Sequence, residues 1–183
     1  MGIEVSVYEQ RPDLGGVWSA TRAYPHISTQ DDRESYAFSD FPFPESVSEH
    51  PTGAEVRAYL EDYVEAHGLG DRIHLSTRVE SAEPLRDGAG WTVRISGQGW
   101  TDEVHADWLV AANGVFSTPH VPRWPGRAAF EGAGGTVVVP SEVGDGRMFD
   151  AARVVVVGWG KTACDIAVGA RDRALQTLSL IHI

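Results

Sequence analysis

Apolar and polar positions alternate from the start of the chain. Ile3, Val5 and Val7 interleave with Glu4, Ser6 and Tyr8, which predicts a strand closing at Glu9. From Pro12 to about Pro51 no period is sustained, and glycine, proline and aromatic residues punctuate the stretch. A segment that long without regular structure is usually functional when it lies inside a compact domain. A helical period follows. Val56, Tyr59, Leu60, Tyr63 and Val64 make one apolar stripe behind the capping box Thr52-Gly53-Ala54-Glu55. Gly68, followed by Leu69, fits a left-handed helix end. Period two then returns in three segments: Ile73, Leu75, Thr77 and Val79; Trp91, Val93 and Ile95; and Val104 to Ala112. Gly88-Ala89-Gly90 and Gly97-Gln98-Gly99 are the turns between them, so the pattern predicts an antiparallel meander.

Two runs carry no alternation at all. Leu109-Val110-Ala111-Ala112 and Val154-Val155-Val156-Val157 read as strands buried on both faces, the second being the strongest parallel-strand signal in the chain. A Gly-rich turn leads from it into a helix from about Lys161. Pro119 to Pro125 reads as a connector, Thr136 to Val139 as a short strand, and Thr177 as the start of another. There is no internal repeat, but both ends carry a piece of the same kind of unit. The pattern predicts an α/β fold class, with two interrupted α/β lobes and the meander of Ile73 to Ala112 between the end pieces.

Composition narrows the function. The 183 residues hold 15 Lys and Arg against 26 Asp and Glu, a net charge of −11, which argues against binding nucleic acid or an anionic membrane. With 42% apolar residues the chain can bury a core. A single cysteine excludes an internal disulfide framework and a Cys-based zinc site. No run approaches the ~20 apolar residues of a membrane span, and the first residues do not read as a signal peptide. The expectation is a soluble, cytoplasmic protein, incomplete at both ends.

The candidate chemistry begins at Gly158-Trp159-Gly160-Lys161-Thr162-Ala163, a G-x-G-x-x-A turn between a strand and a helix. The first glycine permits the tight turn, the second lets backbone approach a pyrophosphate, and the small third residue lets the helix pack on the strand. Phosphates then lie on the N–H groups of the helix N-terminus. The alternative is a glycine-rich turn with no ligand. A P-loop is excluded, because Val155 stands where its first glycine belongs. Glu9 is the second signal: an acidic residue closing the second strand of such a lobe accepts hydrogen bonds from ribose hydroxyls. Gly15-Gly16-Val17-Trp18 follows it, which favours a second dinucleotide site over a solvated strand end. The seven histidines form no H-x-x-x-H spacing, so no metal is expected. No G-x-S-x-G supports a serine hydrolase. Cys164 reads as a small buried residue rather than a redox thiol.

Glu9-Gln10-Arg11-Pro12-Asp13-Leu14-Gly15-Gly16-Val17-Trp18 resembles the E-x-x-x-x-x-G-G-x-W run of the flavin-containing and Baeyer–Villiger monooxygenases. Arg33-Glu34-Ser35-Tyr36-Ala37-Phe38-Ser39-Asp40-Phe41-Pro42 is similar to that group's K/R-E-x-x-x-F-x-D-F-P block. Ala112-Asn113-Gly114 stands where the group has A-T-G, and the second glycine motif follows in order. The resemblance spans almost the whole chain. It implies FAD in the first lobe and NADPH in an inserted one, with the nicotinamide reducing the flavin and one oxygen atom of O₂ passing to a small organic nucleophile or ketone. Hydride transfer without oxygen insertion and a plain NAD(P)-binding module are the alternatives.

By that resemblance residues 1–125 form a partial FAD-binding domain that includes the meander, and residues 126–183 begin the NADPH-binding domain. Glu9 would hold the FAD ribose, Gly15 and Gly16 would allow close backbone approach, and Val17 and Trp18 would line the flavin. Gly158, Gly160, Lys161, Thr162 and Ala163 would lie along the NADPH pyrophosphate. Thr29 and Gln30 would bind the cofactor, and Gln30, which counted back from Arg33 falls where the group often has an asparagine near the flavin reaction centre, would be the catalytic residue. Three departures stand out: Gln30 in place of asparagine, Asn113 in place of threonine, and an F-x-G-x-x-x-H fingerprint begun at Phe130-Glu131-Gly132 but reaching Val139 near its histidine position. No G-x-G-x-x-G precedes Glu9. Leu178-Ser179-Leu180-Ile181-His182-Ile183 resembles translated sequencing adapter. The chain alone is therefore expected to be inactive and poorly soluble.

Overall fold

The structure, a computed structural model, describes residues 2–86 and 88–180. Its described residues form two compact units. One comprises the residues up to Gly16 together with Arg57–Gly114; the other comprises Val17–Val56 and the residues from Val115 onward.

The first unit carries two small sheets. β1 (Val7–Tyr8) pairs in parallel with β2 (Ile73–His74), and the Tyr8 ring stacks on His74 with centroids 5.1 Å apart. The predicted strand from Ile3 is shorter than its pattern, for Ile3 is 86% exposed and only the last two residues meet a partner. The alternation from Ile73 to Val79 also divides. At Ser76 the backbone takes φ +52°, Ser76 N–H donates to Arg11 O and Thr77 N–H donates to Glu9 O. The chain then re-enters strand geometry as β3 (Arg78–Pro84), which pairs with β4 (Trp91–Gly97), itself paired with β5 (Trp100–Ala106). This is the expected antiparallel meander, with Val93 and Ile95 of the central strand buried.

Three strand expectations fail. The third meander strand begins at Trp100, not Val104, and stops at Ala106. Thr101, Asp102 and Glu103 hide it, because an edge strand with a solvated face need not alternate. The run Leu109–Ala112 pairs with no described residue, and Val110 is 83% exposed. Thr136–Val139 likewise forms no strand.

The helix after Thr52, α2 (Gly53–Ala66), has residues in both units. A single helical turn, α1 (Arg33–Tyr36), precedes it, capped by Asp32 accepting from Ser35 N–H at 2.9 Å. At the start of α2 the Glu55 carboxylate accepts from Thr52 N–H and Oγ1–H, both at 2.8 Å, and from Ser48 N–H and Oγ1's counterpart Oγ–H, at 3.1 and 2.9 Å. Thr52 Oγ1 accepts from Glu55 N–H in return, completing the box. Four donors hold the Glu55 carboxyl down at about 2. At the far end Leu69 N–H reaches Val64 O and Gly68 N–H reaches Glu65 O, a Schellman closure with Gly68 at φ +60°.

The second unit is built on a βαβ element. After the short α3 (Arg127–Gly132), β6 (Arg153–Val157) and β7 (Gln176–Leu180) pair in parallel and are connected by α4 (Lys161–Arg171). Val156, Ile166 and Ala170 pack with Val143 and Phe149 into its core. The all-apolar run of β6 is covered on one face only, since Val155 and Val157 are both 53% exposed. Leu178 to Leu180 belong to β7, while residues 181–183 of the adapter-like tail lie outside the described residues.

Candidate functional site

The turn from β6 into α4 has the geometry that its three small residues require. Gly158 takes φ +132°, a conformation that residues with a side chain rarely adopt. A Cβ placed on it would sit 3.6 Å from the Ala163 Cβ, so the helix packs on the turn at van der Waals distance. Gly160, the N-cap of α4, has ordinary angles of φ −63° and ψ 169°. A Cβ there would meet nothing within 4 Å, so open space lies in front of the helix N-terminus. Ala163 N–H and Cys164 N–H both turn back to Gly160 O.

Thr162 and Lys161 are held from outside the helix. Tyr24 O–H donates to Thr162 Oγ1 at 3.2 Å, and burial keeps the Tyr24 phenol above its usual pKa, so it retains the donated proton. Because Thr162 accepts there, its own hydroxyl proton remains available. Lys161 Nζ pairs with Asp165 Oδ2 at 2.6 Å and donates to Ser28 Oγ at 3.1 Å. Neither Tyr24 nor Ser28 is identifiable from sequence, as they lie 138 and 133 positions from their partners. The i,i+4 spacing of Lys161 and Asp165 is a signal from which that pair could be found. Cys164 is exposed rather than buried, for it lies off the face that carries Ile166, Gly169 and Ala170.

Near the chain start Glu9 sits between two backbone bonds, donating from N–H to His74 O and accepting at O from Thr77 N–H. Its Oε1 accepts from Arg11 N–H at 2.8 Å, while Oε2 accepts nothing among the described residues. Gly15 and Gly16 both have positive φ, 106° and 56°, and a Cβ on Gly16 would meet nothing within 4 Å. Val17 and Trp18 complete a short 3₁₀ turn, and the Trp18 ring stands edge-on to Tyr36 at 6.1 Å. Thr29 is buried, with N–H donating to Pro51 O and Oγ1–H donating to Asp31 O, and the next residue, Gln30, is exposed. Arg33 fastens the following loop by donating to Glu45 O and Val47 O. Asn113 is exposed and donates weakly to Gly114 O. No group of three metal-binding side chains occurs among the described residues.

The model of the flavin-binding monooxygenase-like family matches residues 1–181. The chain belongs to that family. An FAD-dependent monooxygenase of Pyrenophora dematioidea is 32% identical over 182 residues, an alignment covering 92% of this chain and 32% of that protein. Flavin-containing monooxygenase 1 of Oryctolagus cuniculus is 28% identical, over 92% of this chain and 34% of its own length. Among solved structures, cyclohexanone monooxygenase from Rhodococcus sp. Phi1 bound to NADP⁺ superposes with a TM-score of 0.81 at 23% identity, covering 98% of this chain and 33% of that one. That likeness shows the fold, a Rossmann-type α/β architecture. The chain spans about a third of the length of the curated relatives it matches. No helix among the described residues of this family member is long and apolar enough to cross a membrane.

Proposed function

We propose that the protein containing this chain is a monooxygenase that binds FAD and NADPH and oxygenates a small organic nucleophile or ketone. One observation carries the reading: a family match over nearly the whole chain meets a βα turn with open space at Gly160. That space is what an approaching pyrophosphate needs, and the family supplies a reason for one to be there. At the other end Glu9 Oε2 accepts nothing among the described residues, and a Cβ on Gly16 would meet nothing within 4 Å. Both segments fit the groups expected of them.

In this reading Glu9 Oε2 accepts from the FAD ribose, Gly15 and Gly16 let backbone approach FAD, and Val17 and Trp18 line the flavin. Gly158 and Ala163 hold the second turn tight. Gly160 and the first N–H groups of α4 receive the NADPH pyrophosphate, and Thr162 donates its free hydroxyl proton to a phosphate oxygen. Lys161 adds positive charge at that end. Thr29 fixes the backbone that presents Gln30, whose amide would serve the flavin when it is bound. When bound, the two cofactors supply a hydride and activate O₂, one oxygen atom going to substrate and the other to water.

The test uses the intact protein. It should retain flavin when purified, oxidise NADPH with O₂, and place an isotope-labelled oxygen atom from O₂ in the product. Peroxide as the sole oxygen product across a panel of amines, sulfides and ketones would identify a reductase. Absence of flavin, with NADP⁺ still bound, would leave only a nucleotide-binding module.

A further inference from the structure

Residues 24–29 are fastened one after another, and much of that fastening comes from α4. Tyr24 O–H donates to Thr162 at 3.2 Å. Pro25 lies so close to Gly169 that a Cβ there would stand 2.9 Å from the proline Cβ. His26, at φ +64°, brings Nε2 within 3.6 Å of Asp172 Oδ2. Ile27 O accepts from Gly53 N–H, and Thr29 N–H donates to Pro51 O. Between these, Ser28 Oγ accepts from Lys161 Nζ at 3.1 Å. Gln30 comes next.

Lys161 is not explained by the stability of its own helix. A cation in the first turn opposes the macrodipole, and Lys placed N-terminal to Asp at i,i+4 is the weaker orientation of that pair. The side chains of Lys161 and Asp165 are nevertheless only 24% and 15% exposed, so this is not a loosely screened surface contact. The ammonium is held between Asp165 and Ser28, and the second contact belongs to the segment leading to Gln30.

We propose that Lys161 is a positioning residue: by bridging Asp165 to Ser28 it sets where Gln30 stands relative to the turn at Gly158 and Gly160. The proposal rests on the function proposed above and adds a role for a side chain that would otherwise count only as charge near a phosphate. Losing the bridge leaves the nucleotide turn intact and loosens the backbone ahead of Gln30.

The experiment compares Lys161→Met, Ser28→Ala and the double variant in the intact flavin-loaded enzyme. Ser28→Ala removes one oxygen atom and serves where Lys161→Met lowers stability. Each single variant should raise peroxide released per NADPH consumed by about threefold to tenfold, and the double variant should exceed neither, because both remove one shared path. The KM for NADPH should change by less than about threefold in Ser28→Ala, and amide exchange at Thr29 and Gln30 should quicken in all three. Additive effects would overturn the proposal. So would a Lys161→Met enzyme that loses NADPH affinity about tenfold while Ser28→Ala is unaffected, which would make Lys161 a direct phosphate ligand. Retained flavin with unchanged peroxide yield and exchange overturns this role alone. A wild-type protein that retains no flavin overturns the proposed function, and this role with it.

Discussion

Replacing Gly160 by alanine separates folding from binding. Its φ and ψ suit any residue, and a methyl group there meets no atom of the protein within 4 Å. Restricting the unfolded chain should stabilise by about 0.4–1 kcal/mol. Alanine is a poorer N-cap than glycine, which offsets part of that gain. Net stability should therefore stay within about 1 kcal/mol of wild type. The same methyl fills the space through which a pyrophosphate reaches the N–H groups of α4. Losing one charge-assisted hydrogen bond costs about 1.5–3 kcal/mol, so NADP⁺ should bind about tenfold to a hundredfold more weakly. Gly158→Ala should act on the other quantity. A Cβ there makes only an ordinary 3.6 Å contact with Ala163, so its cost is conformational, arising from φ +132°. That strain is about 1–3 kcal/mol and should appear in urea unfolding. Calorimetric NADP⁺ titration and urea denaturation of both variants in the intact protein make the comparison. A Gly160→Ala protein that binds NADP⁺ as tightly as wild type refutes the idea that this turn receives the dinucleotide.

Glu55→Gln should cost about 1 kcal/mol at neutral pH, a capping-scale value suited to a partly exposed carboxylate. Its folded pKa of about 2 lies below the ordinary 4.5, so its stabilisation is present above pH 4.5 and is lost as pH falls through about 2. Wild type and variant should thus converge in acid, and a constant difference in thermal melts across that range would contradict the assignment. Gln30→Ala in the holoenzyme should raise peroxide released per NADPH by about twofold to tenfold, the worth of one hydrogen bond; an unchanged ratio would make Gln30 an ordinary loop residue. Ala163→Leu should overpack the contact with Gly158 and destabilise by about 1–3 kcal/mol, measurable by urea unfolding; a neutral result would mean that α4 can shift away from the turn.

Local chemistry made parts of this fold legible. Thr52, Glu55, Gly68 and Leu69 act on groups within a few residues, so the bounds of α2 follow from neighbours in the chain. Gly158, Gly160 and Ala163 are legible for the same reason. Apolar patterning was less faithful, because it records which faces could be covered rather than which are. It suggested two buried faces for Val154–Val157, where one is covered, and a strand at Leu109–Ala112, where no partner stands. It missed the start of β5 because Thr101-Asp102-Glu103 occupies an edge. The Ser28–Lys161 and Tyr24–Thr162 contacts join residues that only the tertiary fold brings together, and no periodicity announces such pairs.

The pairing of β1 with β2 has a kinetic consequence. Val7 and Ile73 are separated by more than sixty residues, yet their ladder is only two residues long. Closing a loop of that length costs roughly 4 kcal/mol of chain entropy before any contact repays it. The meander of β3, β4 and β5, whose paired strands are close neighbours in the chain, meets no such barrier. Chain order is therefore a poor guide to folding order within this unit: its first strand should be among the last to dock. It should also be among the first to open, with the Glu9 and Thr77 amides exchanging well before those of Val93 and Ile95.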